Sequence, residues 1–105
     1  ADKSFLKNVH RRFPQIKADI FLWSFFHELG HAETEDNFSN FEWLVYNFAI
    51  AHKITDEIYY HLPQEYQATK WAGNFMLNNE QFIFKFWKEL KVLILKYYRS
   101  MINEA

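Results

Sequence analysis

The chain has 105 residues, which is enough for one domain, and half of them are hydrophobic, which is ample for a core. Its formal net charge is −1 at pH 7, so no general electrostatic attraction to nucleic acid is expected. Cysteine is absent, which leaves only His, Asp and Glu as side chains for binding a metal. Because no apolar run reaches transmembrane length and no secretory signal is present, we expect no membrane association and a cytoplasmic location.

Hydrophobic periodicity predicts a mainly α-helical chain. Residues 3–13 predict a short helix, and Pro14 either ends it or starts the next turn. Residues from about 17 to 33 predict a second helix that is apolar around nearly its whole circumference, which is typical of a buried, central helix. An acidic turn follows at residues 33–37. Residues 40–52 predict a third helix, although their β-branched and aromatic content also suits a strand.

The second half of the chain continues this helical pattern. Residues 54–62 predict a short connecting element, and Pro63 is well placed at the first position of a helix that is broken at residues 78–80. Residues 81–102 predict one long final helix, whose apolar arc is expected to pack in the core rather than on a partner or a membrane. The expected fold is therefore a single compact helical domain over residues 1–105, with at most a minor β element.

The stretch SFFHELGHAE places His27 and His31 four residues apart on the predicted central helix. At this spacing the two imidazoles are about 40° apart around the helix axis and about 6 Å apart along it, so both can reach one ion. Glu28 points about 100° away from His27, where it can act as general base on a water rather than as a ligand. Gly30 costs roughly 1 kcal/mol in a helix relative to alanine, which indicates that another chain segment passes close by.

A third metal ligand is expected from a later helix. In EYQATKWAGNFM, Glu65 lies on the buried face, which is unusual for a carboxylate without a partner. The same face carries Ala68, Thr69, Ala72 and Met76. The small residues on this face allow a close approach to the histidine helix, so the sequence predicts Glu65 as the third ligand of a zinc site. The simpler alternative is that Glu65 binds no metal and only stabilises its own helix, because a negative charge in the first turn interacts favourably with the helix dipole.

Several polar residues before this helix remain open for other roles. Three of them compete with Glu65 as third ligand: Glu57, His52 and His61. His61, Tyr59 or Tyr60 is also a candidate for donating a hydrogen bond to an oxyanion on the substrate. A simple surface role is the alternative for each of these residues.

HELGH followed 34 residues later by EYQATKWA resembles the ImmA/IrrE-type zinc metallopeptidases, a branch of the gluzincins. By this resemblance His27, His31 and Glu65 are the zinc ligands and Glu28 is the catalytic base. The resemblance covers roughly the middle half of the chain, and it implies a zincin-like domain with the HExxH helix at its centre.

Ala68 and Ala72 match the family's alanines, and Trp71 stands where Phe is usual. Thr69 replaces an Asp or Asn that normally supports a ligand histidine, so here that support is either weaker or made by the hydroxyl.

Family members usually carry a small β-sheet before the metal helix, and its edge can pair with a peptide substrate. Only 26 residues precede His27, and they look mostly helical, so either the sheet lies outside this sequence or the chain is a reduced form. The family cleaves or regulates bacterial and phage repressors, often on mobile elements. The resemblance therefore implies a protein or peptide substrate, in particular a repressor-type regulator.

The expected activity is zinc-assisted hydrolysis of a peptide bond. Two alternatives are a non-catalytic zinc domain that binds a protein with the same ligands, and a metal-free helical interaction domain that uses the final helix.

Overall fold

The computed structural model describes residues 2–104, so positions 1 and 105 of the predicted domain lie outside the described part. Regular secondary structure within residues 2–104 is entirely helical, which confirms the predicted mainly α fold. The helices in chain order are α1 (Asp2–Arg12), α2 (Ile20–Thr34), a 3-10 turn (Glu35–Asn37), α3 (Asn40–Ala51), α4 (Asp56–His61), α5 (Pro63–Asn78), α6 (Glu80–Lys85) and α7 (Trp87–Glu104).

Helix α2 begins at Ile20, three residues after the predicted start at Lys17. The cause is Asp19, whose backbone is extended and whose side chain accepts a hydrogen bond of 2.8 Å from the Leu22 amide. An aspartate in this N-cap position satisfies an amide that has no partner inside the helix, and this fixes where the helix starts.

Helix α3 adopts one of the two conformations that its composition allows. Ser39 accepts a hydrogen bond from the Glu42 amide, and the Glu42 side chain accepts one from the Ser39 amide. This reciprocal capping box favours a helix start at Asn40 over a strand. Helix α5 begins at Pro63 as predicted, because proline suits the first helical position.

The core lies where α2 packs along α5, with α1 and α6 closing it from the sides. Leu22 and Trp23 of α2 and Met76 of α5 are completely buried there. The predicted central position of the histidine helix is therefore confirmed. The polar site described below lies at the same α2–α5 contact, so the core itself holds the site in place.

The predicted single final helix is interrupted at Phe86, which separates α6 from α7. The Phe86 backbone (φ −107°, ψ 17°) leaves the helical region, although hydrogen bonding continues on both sides. Neither proline nor glycine marks this position in the sequence.

The expectation that the apolar arc of the final helices packs in the core was wrong for most of its length. Ile83 is buried and Trp87 packs against the core, but several of the large apolar side chains beyond them are exposed. Those side chains are Val92, Leu93, Tyr97 and Tyr98. The reason is geometric, because α7 leaves the core after its first turns. Within these turns Lys91 Nζ lies 3.5 Å from Asp19 Oδ2. No helix in the described residues combines the length and apolar character needed to cross a lipid bilayer.

Candidate metal centre

Helix α2 presents His27 and His31 on the face that meets α5. Their ring centroids are 4.7 Å apart and their planes are nearly perpendicular, as expected for residues one helical turn apart. His27 is buried and His31 is partly exposed. The Phe5 ring packs edge-on against His27 at 5.1 Å, which fixes the imidazole from the α1 side.

Glu65 of α5 lies between the two imidazoles. Its Oε1 is 3.1 Å from His27 Nε2 and its Oε2 is 2.8 Å from His31 Nε2. The Glu65 side chain is 2% exposed, although it sits in the first turn of its helix. The described part of the chain contains one group of three or more His, Asp or Glu residues close enough to hold a metal, and it consists of these three residues. They form the ligand triad.

The hydrogen bonds in the ligand triad define its protonation. Because a carboxylate only accepts hydrogen bonds, the imidazole nitrogens that face Glu65 carry hydrogens. Burial alone would raise the pKa of the Glu65 carboxyl, but the hydrogen bonds from His27, His31 and Tyr46 outweigh burial and hold that pKa well below its usual range. The hydrogen bond to Glu65 also raises the pKa of His31. Glu65 is therefore a carboxylate at neutral pH, the form that binds metals.

Thr69 supports the first histidine of the triad. Its hydroxyl oxygen lies 3.0 Å from His27 Nδ1, and both groups are buried. A hydroxyl can both donate and accept, so Thr69 can donate to Nδ1 when Nε2 carries the hydrogen and accept from Nδ1 when Nε2 is a ligand. Of the two alternatives expected for Thr69, weaker support of the histidine or support by the hydroxyl, this contact agrees with the second.

Tyr46 of α3 supports the carboxylate, and the sequence analysis missed it. Its hydroxyl donates a hydrogen bond of 2.8 Å to Glu65 Oε2. Burial, and secondly the contact with Glu65, raises the pKa of Tyr46 to about 12, so the hydroxyl keeps its hydrogen at neutral pH. Nothing in the local pattern of α3 indicates which of its residues faces α5, so the sequence holds no direct signal for this contact.

Gly30 and Ala68 bring the two site helices together. A β-carbon placed on Gly30 would collide with the backbone carbonyl oxygen of Ala68 and lie 3.0 Å from its Cα. A close approach at Gly30 was predicted from the sequence, and the neighbouring segment is the backbone at Ala68. Only glycine at this position allows α5 to come near enough for Glu65 to reach both imidazoles.

A cavity of about 450 Å³ opens beside the triad. His27, Glu65 and the predicted base Glu28 all line it, so Glu28 and two of the three triad residues face one space. Tyr59 and Tyr60, two of the candidates for an oxyanion donor, line the same cavity. Burial, and then the Glu65 carboxylate, raises the pKa of Tyr59 above its ordinary value, so its hydroxyl remains a hydrogen-bond donor at neutral pH.

The three competing ligand candidates do not join the triad. His52 is exposed, stacks on Phe48, and has its Nδ1 2.8 Å from the Phe48 carbonyl oxygen. The Nδ1 of His61 lies 2.8 Å from the Glu57 carbonyl oxygen, and both residues line a separate polar cavity between α1 and α4. His61 is therefore also less well placed than the two tyrosines to reach a substrate at the triad.

The donor set and its spacing fit a zinc ion. Two imidazole nitrogens and one carboxylate oxygen are the set found in His₂Glu catalytic zinc sites. Ligand atoms about 2.0–2.1 Å from a tetrahedral zinc lie roughly 3.3 Å from one another. In the triad, the Nε2 atoms of His27 and His31 lie 3.1 and 2.8 Å from the Glu65 carboxylate oxygens. One ligand atom from each of the three residues can be chosen so that all three atoms lie within 4.8 Å of one another. A small increase in these nitrogen–oxygen distances would make room for the ion.

Comparison with protein-family models gives no match, and comparisons with curated proteins and with solved structures give none either. The geometry of the site and the sequence resemblance are therefore the two observations that bear on function.

Proposed function

We propose that this chain is a zinc-dependent peptidase of the ImmA/IrrE type that hydrolyses a peptide bond in a protein or peptide substrate. The observation that carries the proposal is that His27 and Glu65 of the ligand triad line the same cavity as Glu28. A buried, hydrogen-bonded triad alone would also suit a structural polar cluster. The adjoining open space and the general base next to it favour catalysis.

Zinc bound by the triad would polarise a substrate carbonyl and lower the pKa of a water molecule to about 7. Glu28 would take a proton from the attacking water and deliver it to the leaving amine. Thr69 would hold the His27 ring in the orientation that leaves Nε2 free to act as a ligand. Tyr59 or Tyr60 would donate a hydrogen bond to the oxyanion that develops on the carbonyl oxygen.

The resemblance in HELGH and EYQATKWA also provides a proposed partner and setting. A repressor-type regulator encoded near the same gene, on a mobile element, is the proposed substrate, and the cytoplasm is the proposed location. Neither nucleic acid nor a membrane is a proposed partner.

Metal analysis of the purified protein tests the first half of the proposal. We expect about one zinc per chain in the wild type and little in His31→Ala, because two of three ligands hold the ion poorly. His61→Ala is the matched control, since His61 lies outside the triad, and we expect it to retain zinc. Equal zinc contents in all three proteins, or none in the wild type, would refute the metal site and favour the metal-free interaction domain.

A cleavage assay against a co-encoded regulator tests the second half. We expect Glu28→Gln to keep its zinc and to lose at least about 100-fold in rate, because an amide cannot accept the proton from water. Full activity in Glu28→Gln would refute its role as base. A wild type that binds zinc and the regulator without cleaving it would instead support a non-catalytic zinc domain.

A further inference from the structure

The cavity beside the triad has an apolar wall, and the proposed chemistry uses only one part of it, the hydroxyl of Tyr59 or Tyr60. Its volume of about 450 Å³ lies within the range of sites that hold small ligands. The side chains of this wall are Phe5, Ile50, Ile54, Tyr59 and Tyr60. They come from α1, from the end of α3 and the segment after it, and from α4.

This apolar wall is continuous with the proposed ligands. Phe5 contacts both the His27 ring at 5.1 Å and the Tyr60 ring at 6.2 Å. A group placed against the wall would therefore lie beside the His27 ring of the triad.

The other lining side chains give the wall no net charge of its own. Lys53 and Asp56 line the cavity with opposite charges, and the two other carboxylates in the lining, Glu28 and Glu65, already serve the proposed proton transfer and metal binding. Lys53 also has a left-handed backbone (φ 53°), which is uncommon for a residue with a side chain, and it turns the chain from α3 into the cavity lining. A cavity with apolar walls and balanced charges favours an uncharged, apolar occupant.

From these observations we infer that the cavity is a specificity pocket that receives a bulky apolar side chain of the substrate, of the size of Leu or Phe, next to the scissile peptide bond. The inference rests on the proposed peptidase function and adds the substrate class. A peptide with glycine or a charged residue at that position would leave the wall exposed to water or bring an unpaired charge against it, and it would bind less tightly.

Binding of two peptide hydroxamates to the zinc-loaded protein tests this pocket without requiring catalysis. The two compounds differ only in the residue next to the hydroxamate, which is leucine in one and glycine in the other. We expect calorimetry to give the leucine compound a roughly 10- to 100-fold lower Kd, the usual effect of burying such a side chain. In Ile50→Ser we expect this advantage to shrink by about 3- to 10-fold while the glycine compound binds as before.

Ile58→Ser provides the matched control. Ile50 is 42% exposed and Ile58 is 54% exposed, but only Ile50 lines the cavity. We expect Ile58→Ser to keep the full preference for leucine, and neither variant to lose its fold, because both positions are already exposed.

The possible outcomes separate the pocket from the peptidase proposal. Equal Kd values for the two compounds, in a protein that holds zinc, would overturn the pocket and leave the metal site intact. A preference for leucine that is unchanged in Ile50→Ser, or reduced equally in Ile58→Ser, would also overturn it. Absence of both zinc and hydroxamate binding would overturn the proposed function and this inference together.

Discussion

Between α2 and α5 the chain buries polar side chains, whereas α3 and α7 expose large apolar ones. Glu65, Thr69 and His27 are buried at the α2–α5 contact, each with a hydrogen-bond partner. Helix α3, which is described in full, has no buried residue, and Phe41 and Leu44 on it are mostly exposed. Hydropathy alone would have placed Glu65 and His27 outside the core and Phe41 and Leu44 inside it.

The difference shows what decides burial in a short chain. Small residues at Gly30 and Ala68 let two helices approach closely, and hydrogen bonds among the triad offset the cost of burying its polar groups. Hydrogen bonds connect helix α3 to α5, from Tyr46 to Glu65 and from Gln64 to the Glu42 carbonyl. The central pair therefore holds the site, while α3 contributes single side chains to it.

Leu22→Ala should have the largest effect on this central pair. Leu22 is 0% exposed, so the substitution leaves a cavity in the core. We expect a loss of about 3 kcal/mol in the free energy of unfolding and a Tm lower by roughly 12–24 °C. Urea and thermal unfolding of the metal-free protein, followed by circular dichroism, measure both. A loss below about 1 kcal/mol would mean that the α2–α5 pair is not the stable centre of the fold.

Gly30→Ala should come next. The added β-carbon would meet the Ala68 carbonyl, a backbone group that cannot rotate away, so α2 and α5 must separate. We expect a net loss of about 2 kcal/mol, after alanine's better helix propensity is included, together with weaker zinc binding. Zinc titration and urea unfolding check the two effects.

Gly73→Ala is the matched control for this substitution. The β-carbon there would meet the Phe13 ring, a partly buried side chain that can shift. We expect a smaller loss of stability and unchanged zinc affinity. If Gly73→Ala weakened zinc binding as much as Gly30→Ala, the effect would come from general loosening of α5.

The parts of the site on α2 and α5 were accessible from the sequence because their spacing is local. The pair His27 and His31 follows from one helical turn, and the position of Glu65 follows from the small residues that share its helical face. Gly30 marked the close approach because a glycine inside a helix is costly without one. These inferences need only the geometry of each single helix and one contact between two helices, the close approach of α2 and α5 at Gly30.

The contributions of α3 and α7 were not accessible in this way. Tyr46 reaches Glu65 because of how α3 crosses α5, and this depends on the whole chain path. The break at Phe86 has no proline or glycine to mark it, and the apolar arc of α7 looks like a core face whether or not another helix covers it. Periodicity predicts which residues share a face but not what covers that face.

Tyr46→Phe should weaken the site without disturbing the central pair. It removes the hydrogen bond to Glu65 Oε2 and keeps the ring, so the carboxylate loses a partner that orients it. We expect zinc affinity to fall by about 10-fold, measured by competition with a chelator, with urea unfolding of the metal-free protein changed by about 1 kcal/mol or less. Tyr97→Phe, on the exposed part of α7, should change neither quantity. Unchanged affinity in Tyr46→Phe would show that Glu65 is oriented by the other triad residues alone.

Leu44→Ala should have the smallest effect, and it makes the same chemical change as Leu22→Ala in the other region. Leu44 is 66% exposed, so its removal creates no cavity, and alanine is slightly the better helix former. We expect the free energy of unfolding to change by no more than about 0.5 kcal/mol, at any protein concentration. A loss that grows with protein concentration would mean that another copy of the chain covers α3 in solution, because only then would this side chain be buried. The contrast between the two leucines would then apply to the isolated chain but not to its assembly.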